Sequence, residues 1–232
     1  MHLGTKVYHQ LKRMIVSGRL GEEATLSERR LAEMLSVSRV PVREAVKKLE
    51  AEGIVVVVPR SGVYMRALQR DDVRQLYEVR QALEGMAAFL CAASNRKDEI
   101  KGLRREIERL RTKKASRSVI QRQSRVFHAA LFDLCDNAQL RSLYRTVESQ
   151  IEMNLRLTAV HAPERIHAAL SEHCEIAKAI EAGDGIEAER LMRLHLDNGK
   201  RARIRVLTDL EAARTRDQSS HQPKINRQLV HA

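Results

Sequence analysis

A chain of 232 residues with 43% hydrophobic residues can fold as one large domain or as a small domain joined to a larger one. Aromatic residues make up only 3% and Trp is absent, so the core must be built mainly from Leu, Ile, Val, Ala and Met, as in packed helices. The 42 Lys and Arg against 30 Asp and Glu give a net charge of +12, which favours a polyanionic partner and leaves nucleic acid and an anionic membrane surface both open.

The opening residues MHLGTKVYHQLKRM hold no apolar run of the kind a secretion signal needs. No stretch approaches the ~18–20 apolar residues of a membrane-spanning helix, so a soluble cytoplasmic protein with no membrane partner is expected. Cys91, Cys135 and Cys174 are far apart and form no C-x-x-C pair. That spacing argues against a disulfide framework or zinc ribbon and for buried free thiols.

Between residues 5 and 53 apolar residues recur at helical spacing in three blocks: Val7, Leu11, Met14 and Ile15; Leu31, Met34 and Leu35; Val42, Val46 and Leu49. Three short helices fit. IVVVVPRSGVYMRAL follows, two β-branched runs separated by Pro59-Arg60-Ser61-Gly62, which reads as a hairpin. Three helices and a hairpin, in that order, predict a winged helix-turn-helix. From residue 71 helical periodicity takes over, with helices expected at roughly 71–94, 98–113, 117–135, 138–158, 166–182 and 185–211. The expected fold is mainly α: a winged helix-turn-helix at 1–68, an all-helical bundle at 69–212, and a polar, aperiodic tail at 213–232 that reads as disordered.

Within LSERRLAEMLSVSRVPVREAVKKLEAEGI the second helix of the helix-turn-helix begins near Ser38. Pro41 then falls in its first turn, where no intrahelical N–H bond is lost and the fixed φ is already helical. Ser38, Arg39, Val40 and Arg43 surround that start, Lys47 lies one turn further on, and Arg60 sits at the hairpin tip. Arginine forks suit guanine edges, and serine hydroxyls and free helix-start N–H groups suit phosphate. The alternative, a merely solvated face, does not explain why these residues gather at the end that enters the groove.

SERRLAEMLSVSRVPVREAVKKLEAEGIVVVVPRSGVYM resembles the DNA-binding head of the GntR superfamily of bacterial transcription regulators, whose motif runs L-x-E-x-x-LA-x-x-L-x-V-SR-x-PVREA-L-x-x-L-x-x-EG. The resemblance implies DNA contacts from Arg29, Ser38, Arg39, Val40, Pro41 and Arg43, and a wing tip formed by Gly62 and its neighbours. One departure is visible: Glu22-Glu23 stands where the family usually has Pro-Gly, so the turn into the second helix can differ.

In the bundle, SEHCEIAKAIEAGDGIEAERLMRLH places His173 and His195 eleven residues on either side of Asp184. If Gly183-Asp184-Gly185 turns an antiparallel helix pair, both histidines lie about 16 Å from the turn, at the same height. Each shares a face with apolar residues. A buried histidine is more often a hydrogen-bonded structural residue than a ligand. His128, in the apolar helix SRVFHAALFDLCDN, adds a third inward histidine, however, and three on three helices can hold zinc or a similar divalent ion such as nickel, with open positions for a ligand.

LYEVRQALEGMAA, FHAALFDLCDNAQL, SEHCEIAKAIEAGD and ERLMRLH resemble, in that order, the FCD ligand domain of the FadR branch of the same superfamily. Metal-binding members hold their ion with three histidines and an aspartate in a D-x-x-F-H arrangement. His128, His173 and His195 match the histidines, but Ser124 occupies the aspartate position. Three readings stay open: a three-histidine site completed by water or effector, a weakened site, or a metal-free pocket. Arg80, with Tyr77 beside it, matches an arginine that the family places in the pocket, where a guanidinium would clamp a carboxylate effector; an exposed or dimer-face arginine is the alternative. The basic run NRKDEIKGLRREIERLRTKKASR reads as a solvated amphipathic helix rather than a second nucleic-acid face.

The resulting expectation is a homodimeric regulator, a repressor more than an activator, that binds a palindromic double-stranded operator and responds to a small carboxylate. A regulator for which the ion is itself the effector is the nearer alternative. A metal-dependent hydrolase is the remote one, since there is no H-E-x-x-H pair.

Overall fold

The computed structural model describes residues 3–16, 20, 26–66, 69–113 and 115–220, with side chains at all of these except 16, 153–161 and 214–220. Nine helices and one two-stranded sheet are described, in the order α1 (Leu3–Val16), α2 (Glu28–Leu35), α3 (Arg39–Ala51), β1 (Val55–Val58), β2 (Gly62–Met65), α4 (Arg70–Ala93), α5 (Lys97–Thr112), α6 (Arg117–Leu134), α7 (Ala138–His161), α8 (Pro163–Ala182) and α9 (Gly185–Ser220). The expected fold class, a winged helix-turn-helix followed by a helical bundle, is what forms.

In the head, Val7, Leu11 and Ile15 of α1 meet Leu31 of α2 and Val42, Val46 and Leu49 of α3 in one buried cluster. These are the three apolar blocks of the sequence. Ser27 caps α2 by accepting from the Arg30 N–H at 3.1 Å, and Ser36 ends it in a left-handed conformation. The hairpin pairs Val55 with Met65 and Val58 with Gly62. Leu26 bridges to Val63 through two backbone hydrogen bonds of 3.0 and 2.7 Å, which fixes the wing against the chain that enters α2. The Glu22-Glu23 departure lies outside the described residues.

The bundle has a separate core, drawn from Val73, Leu76, Ile100, Ile107, Phe127, Leu131, Leu170, Ile176, Met192 and Leu196 among others. Helices α4 and α9 pack along one another, as do α5 and α8. The Gly-Asp-Gly turn forms as expected. Gly183 takes φ 79°, and Asp184 accepts from the Glu187 N–H at 2.9 Å to start α9. A Cβ on Gly185 would come within 3.0 Å of the Phe89 carbonyl oxygen, so this turn seats tightly on α4. Pro163 opens α8 at its first turn, where its missing N–H costs nothing.

Three boundaries differ from expectation by three residues or more: α7 ends at His161 rather than 158, α8 begins at Pro163 rather than 166, and α9 runs past 211. Apolar periodicity fades near Leu210, yet α9 continues to Ser220, eight residues into the stretch expected to be a disordered tail. Periodicity marks where a helix packs against a core, whereas residues of high helix propensity, such as the Ala, Arg and Glu of EAARTRD, can carry it further. The rest of that expected tail, 221–232, lies outside the described residues. The three cysteines are free and buried, and burial pushes the Cys91 thiol up to about 12.

Candidate metal centre and nucleic-acid interface

The expected DNA-reading surface gathers at the start of α3. Ser38 is its N-cap and makes no capping hydrogen bond with its hydroxyl. Arg39, Val40, Arg43 and Lys47 are exposed, and Val40 is 66% exposed, unusual for an aliphatic residue in a helix of a packed head. Arg29 is exposed on α2, 3.8 Å from Glu33. At the wing tip Arg60 adopts φ 64° and Gly62 φ 136°, both in the left-handed range that a tight turn demands and that glycine adopts without strain. Pro41 is the exception: it is buried in the first turn of α3. Sequence reasoning missed Glu28, the glutamate of the L-x-E motif. It accepts from Arg43 Nε at 3.1 Å and lies 3.9 Å from Arg39, holding both arginines on the same side of the helix pair.

In the bundle the three histidines meet. His128 Nε2 is 3.1 Å from His173 Nε2 and 3.2 Å from His195 Nε2, and His173 and His195 are 3.3 Å apart through the same atoms. All three residues are buried. Each comes from a different helix, α6, α8 or α9, and the Gly-Asp-Gly turn sets the last two at one height. Three nitrogens around a tetrahedral ion at about 2.0–2.1 Å stand about 3.3 Å apart, close to the observed triangle. They form the one group of three or more potential ligand side chains found among the described residues.

What lies behind the imidazoles decides which way their lone pairs face. His195 Nδ1 is 2.6 Å from Glu172 Oε2, and His128 Nδ1 is 2.5 Å from Glu84 Oε2, in an oblique approach that leaves Nδ1 without a well-aligned hydrogen bond. A proton on each Nδ1 facing its carboxylate puts a lone pair on each Nε2, directed at the triangle. Carboxylates behind ligating histidines orient metal sites in this way. His173 stacks on Phe127 with ring centroids 4.6 Å apart, and its Nδ1 has no hydrogen-bond partner. Burial, then the neighbouring imidazoles and Arg165 and Arg80, hold His173 and His195 well below the usual histidine range. His173 and His195 are therefore neutral and offer lone pairs to the triangle, which suits a cation. His128, His173 and His195 fit a divalent ion.

Each carboxylate is itself held by an arginine. Glu84 accepts from Arg80 Nε at 2.6 Å; Arg80 is 2% exposed and Glu84 fully buried. Burial alone would raise the Glu84 carboxyl, but Arg80 and His128 bring it down to about 2. Glu172 accepts from Arg165 NH2 at 2.6 Å and from Asn198 Nδ2 at 2.9 Å. Both carboxylates are thus committed behind the imidazoles, which leaves neither in front as a general base. Arg80 is neither exposed nor on an outer face, and its guanidinium lies 4.8 Å from the Tyr77 ring centroid. Ser124 is partly buried on α6, one turn before His128 and on the same helical face.

The Glu84–His128 and Glu172–His195 contacts escaped sequence reasoning, as did Arg203. That residue is fully buried and follows Leu196 and Gly199 at core spacing along α9, so a charged residue at a core position was the available signal. The basic stretch on α5 behaves as an amphipathic helix: Ile100, Ile107 and Leu110 are buried, Arg104 bridges Glu108 and Glu181 at 2.6 Å each, and Arg109 pairs with Glu106.

Head and body touch at α7. Lys12 of α1 hydrogen-bonds Ser149 and lies 3.6 Å from Glu52, the residue that caps α3. Glu52 also bonds the Tyr8 hydroxyl, and its carbonyl accepts from Gln150 Nε2 at 3.1 Å. No described helix is long and apolar enough to cross a membrane.

Comparison with known proteins agrees with this division of the chain. Residues 3–65 match the gntR family of bacterial regulatory proteins and residues 75–198 match the FCD domain. Among curated relatives, the HTH-type transcriptional regulator LutR of Bacillus subtilis is 29% identical over 205 residues, 80% of this chain and 94% of LutR. The HTH-type transcriptional repressor RspR of Escherichia coli is 26% identical over 195 residues, 82% of this chain and 84% of RspR. Among solved structures, E. coli McbR/YncC superposes with a TM-score of 0.69 at 20% identity, covering 85% of this chain and 94% of that one. The metal-free FCD domain of TM0439 superposes with a TM-score of 0.52 at 24% identity, covering 62% of this chain and 99% of that domain. The chain therefore belongs to the GntR family of bacterial regulatory proteins, as a transcription regulator with an FCD domain for its body, and not to a family of enzymes.

Proposed function

We propose that the protein is a cytoplasmic, homodimeric repressor that binds a palindromic operator through its two heads and is controlled by a small carboxylate bound in the FCD domain at a divalent ion. The observation that carries this reading is the triangle of Nε2 atoms at 3.1–3.3 Å, with carboxylates behind two of its imidazoles. An ion held there would supply positive charge and open positions for ligand oxygen atoms. The metal-free form in which TM0439 was solved makes metal content a natural variable in this fold.

Counting charges supports an anionic effector. Glu84 is neutralised by Arg80 and Glu172 by Arg165, so nothing buried in the site balances a divalent ion. Buried uncompensated charge is costly, and a carboxylate removes that cost. At the other end, Arg39, Arg43, Lys47 and Arg60 present positive charge to the duplex while Val40 offers an apolar contact of the kind that meets a thymine methyl. Dimer spacing would set the half-site separation.

Tyr144 links the two ends. It lies on α7 within the electrostatic reach of Glu84 and Arg80, fewer than two turns before Ser149 and Gln150, which hold the head. A ligand that shifts α7 thereby shifts the residue that caps α3. Control requires that it bind one arrangement better than the other.

The test is operator binding by the purified full-length protein, with and without Zn²⁺ or Ni²⁺, a chelator and a panel of small carboxylates. Native protein is expected to hold about one ion per chain and to change operator affinity with a carboxylate when the ion is present; His173→Ala is expected to lose both properties. Release of the operator by metal alone would instead make the ion the effector. Native protein without bound metal and with an unchanged carboxylate response would place the effector in a metal-free pocket.

A further inference from the structure

Among the described residues, Arg203 is a fully buried charge that forms no ion pair. Its Nε, NH1 and NH2 all lack a hydrogen-bond partner. Tyr77 lies beside it, and its phenol favours the charged guanidinium. Burial pushes the guanidinium down to about 10, with Tyr77 opposing and Arg80 adding to the shift. The group thus stays protonated at neutral pH. A buried, unpaired arginine is a large cost for a fold to carry, and Arg80, the other buried arginine among the described residues, has its glutamate.

The position of Arg203 says what would answer it. It stands eight residues after His195 on α9, about 12 Å along the axis, and its Cα–Cβ bond leans toward the helix N-terminus, the side of the histidines. Gly199, one turn before it, lets Tyr77 approach: a Cβ there would come within 3.1 Å of the Tyr77 ring. Tyr77 in turn lies against Arg80, and Arg80 bonds the Glu84 that touches His128. The order of groups is therefore histidine triangle, Arg80, Tyr77, Arg203, with two cations and a phenol in a row and a single carboxylate, Glu84, already shared.

We propose that Arg203 and Tyr77 form an anion subsite that takes the second carboxylate of a dicarboxylate effector whose first carboxylate lies at the histidine end. This rests on the carboxylate-effector reading above and narrows it from any small acid to one with two acidic ends. A guanidinium fork matches a carboxylate in two parallel hydrogen bonds, and the Tyr77 hydroxyl can donate a third. Arg80, tied to Glu84, positions that carboxylate and is not the clamp.

Calorimetric titration of the zinc-equilibrated full-length protein with matched pairs, propionate against succinate and butyrate against glutarate, tests the subsite. The native protein is expected to bind the better dicarboxylate at least about 10-fold more tightly than its monocarboxylate. Arg203→Gln should abolish that preference while leaving monocarboxylate affinity within about twofold, and Arg203→Lys should retain part of it. A second readout needs no ligand: Arg203→Met, which removes a buried unpaired charge, should raise the melting temperature of the ligand-free protein. Equal binding of both acids by the native protein, or a preference that survives Arg203→Gln, overturns the subsite and leaves the carboxylate reading standing. Failure of all four acids to bind native protein overturns both. A fall of several degrees in the ligand-free Arg203→Met variant would make Arg203 a structural residue and also overturn the proposal.

Discussion

The two ends of this chain treat charge in opposite ways. In the head, Arg39, Arg43 and Lys47 are exposed and the arginines are restrained by the Glu28 carboxylate, an arrangement that water and salt screen. In the body, Arg80, Glu84 and three histidines are buried together, and each polar atom depends on the next. The head's functional residues can therefore be changed without touching its fold, whereas those of the body are part of the core that positions them. Mutations should break the two regions differently.

The largest effect is expected from Glu84→Ala. This change strands Arg80, which is 2% exposed, and loosens His128. Removing one partner of a buried ion pair costs about 3–5 kcal/mol, which for a chain of this size lowers the melting temperature by roughly 10 °C. Thermal unfolding followed by circular dichroism measures it. A drop of only a degree or two would mean that Arg80 swings out to solvent and that the body resembles the head after all.

The same contrast governs what could be read from the sequence. The head was legible because its apolar blocks, caps and hairpin turn are local signals, and the Pro41 position announced the start of α3. The bundle's helices were legible for the same reason, although α7 ends at His161 rather than 158, α8 begins at Pro163 rather than 166, and α9 runs on to Ser220. The histidine triangle was legible in part: equal spacing about Asp184 put His173 and His195 at one height. What sequence could not supply is pairing between helices. Glu84 to His128, Arg165 to Glu172 and Lys12 to Ser149 are contacts across 44, 7 and 137 positions, respectively, and only the first and third join separate helices; the second closes within one. No periodicity encodes which carboxylate stands behind which imidazole.

Next in size is a gain rather than a loss. Ser124 lies one turn before His128 on the same face, so Ser124→Asp adds an anionic oxygen toward the triangle. Zinc affinity should rise roughly 10-fold to 100-fold, on the scale by which changes near metal sites are felt, as measured by competition with a chromogenic chelator. An unchanged affinity would show that the α6 face is turned away from the ion.

On the head, Arg43→Ala should weaken operator binding by roughly 10-fold to 100-fold with no measurable change in melting temperature, since the side chain is exposed and its partner Glu28 is only partly covered. Fluorescence anisotropy on a labelled operator fragment, with a melt of the same sample, provides both numbers. A variant that melts early would tie Arg43 to the fold and erase the contrast between the two regions. Unchanged operator affinity would remove α3 from the role of reader.

The smallest expected effect falls where the regions meet. Lys12 reaches Ser149 of α7 while lying 3.6 Å from Glu52 at the end of α3, so it connects the helix that borders the pocket with the helix that faces DNA. Exposed reading and buried sensing have to communicate through a contact of this kind, because the head and body have separate cores. Lys12→Ala removes the connection but neither end of it. Operator affinity without effector should then stay within about threefold of native, and metal content should not change. The change in operator affinity on adding an active carboxylate should shrink roughly threefold to tenfold, the range by which residues between coupled sites modulate them. Full retention of the carboxylate response would move the coupling to the contact between Gln150 and the Glu52 carbonyl, and the variant Gln150→Ala would then be expected to lose it.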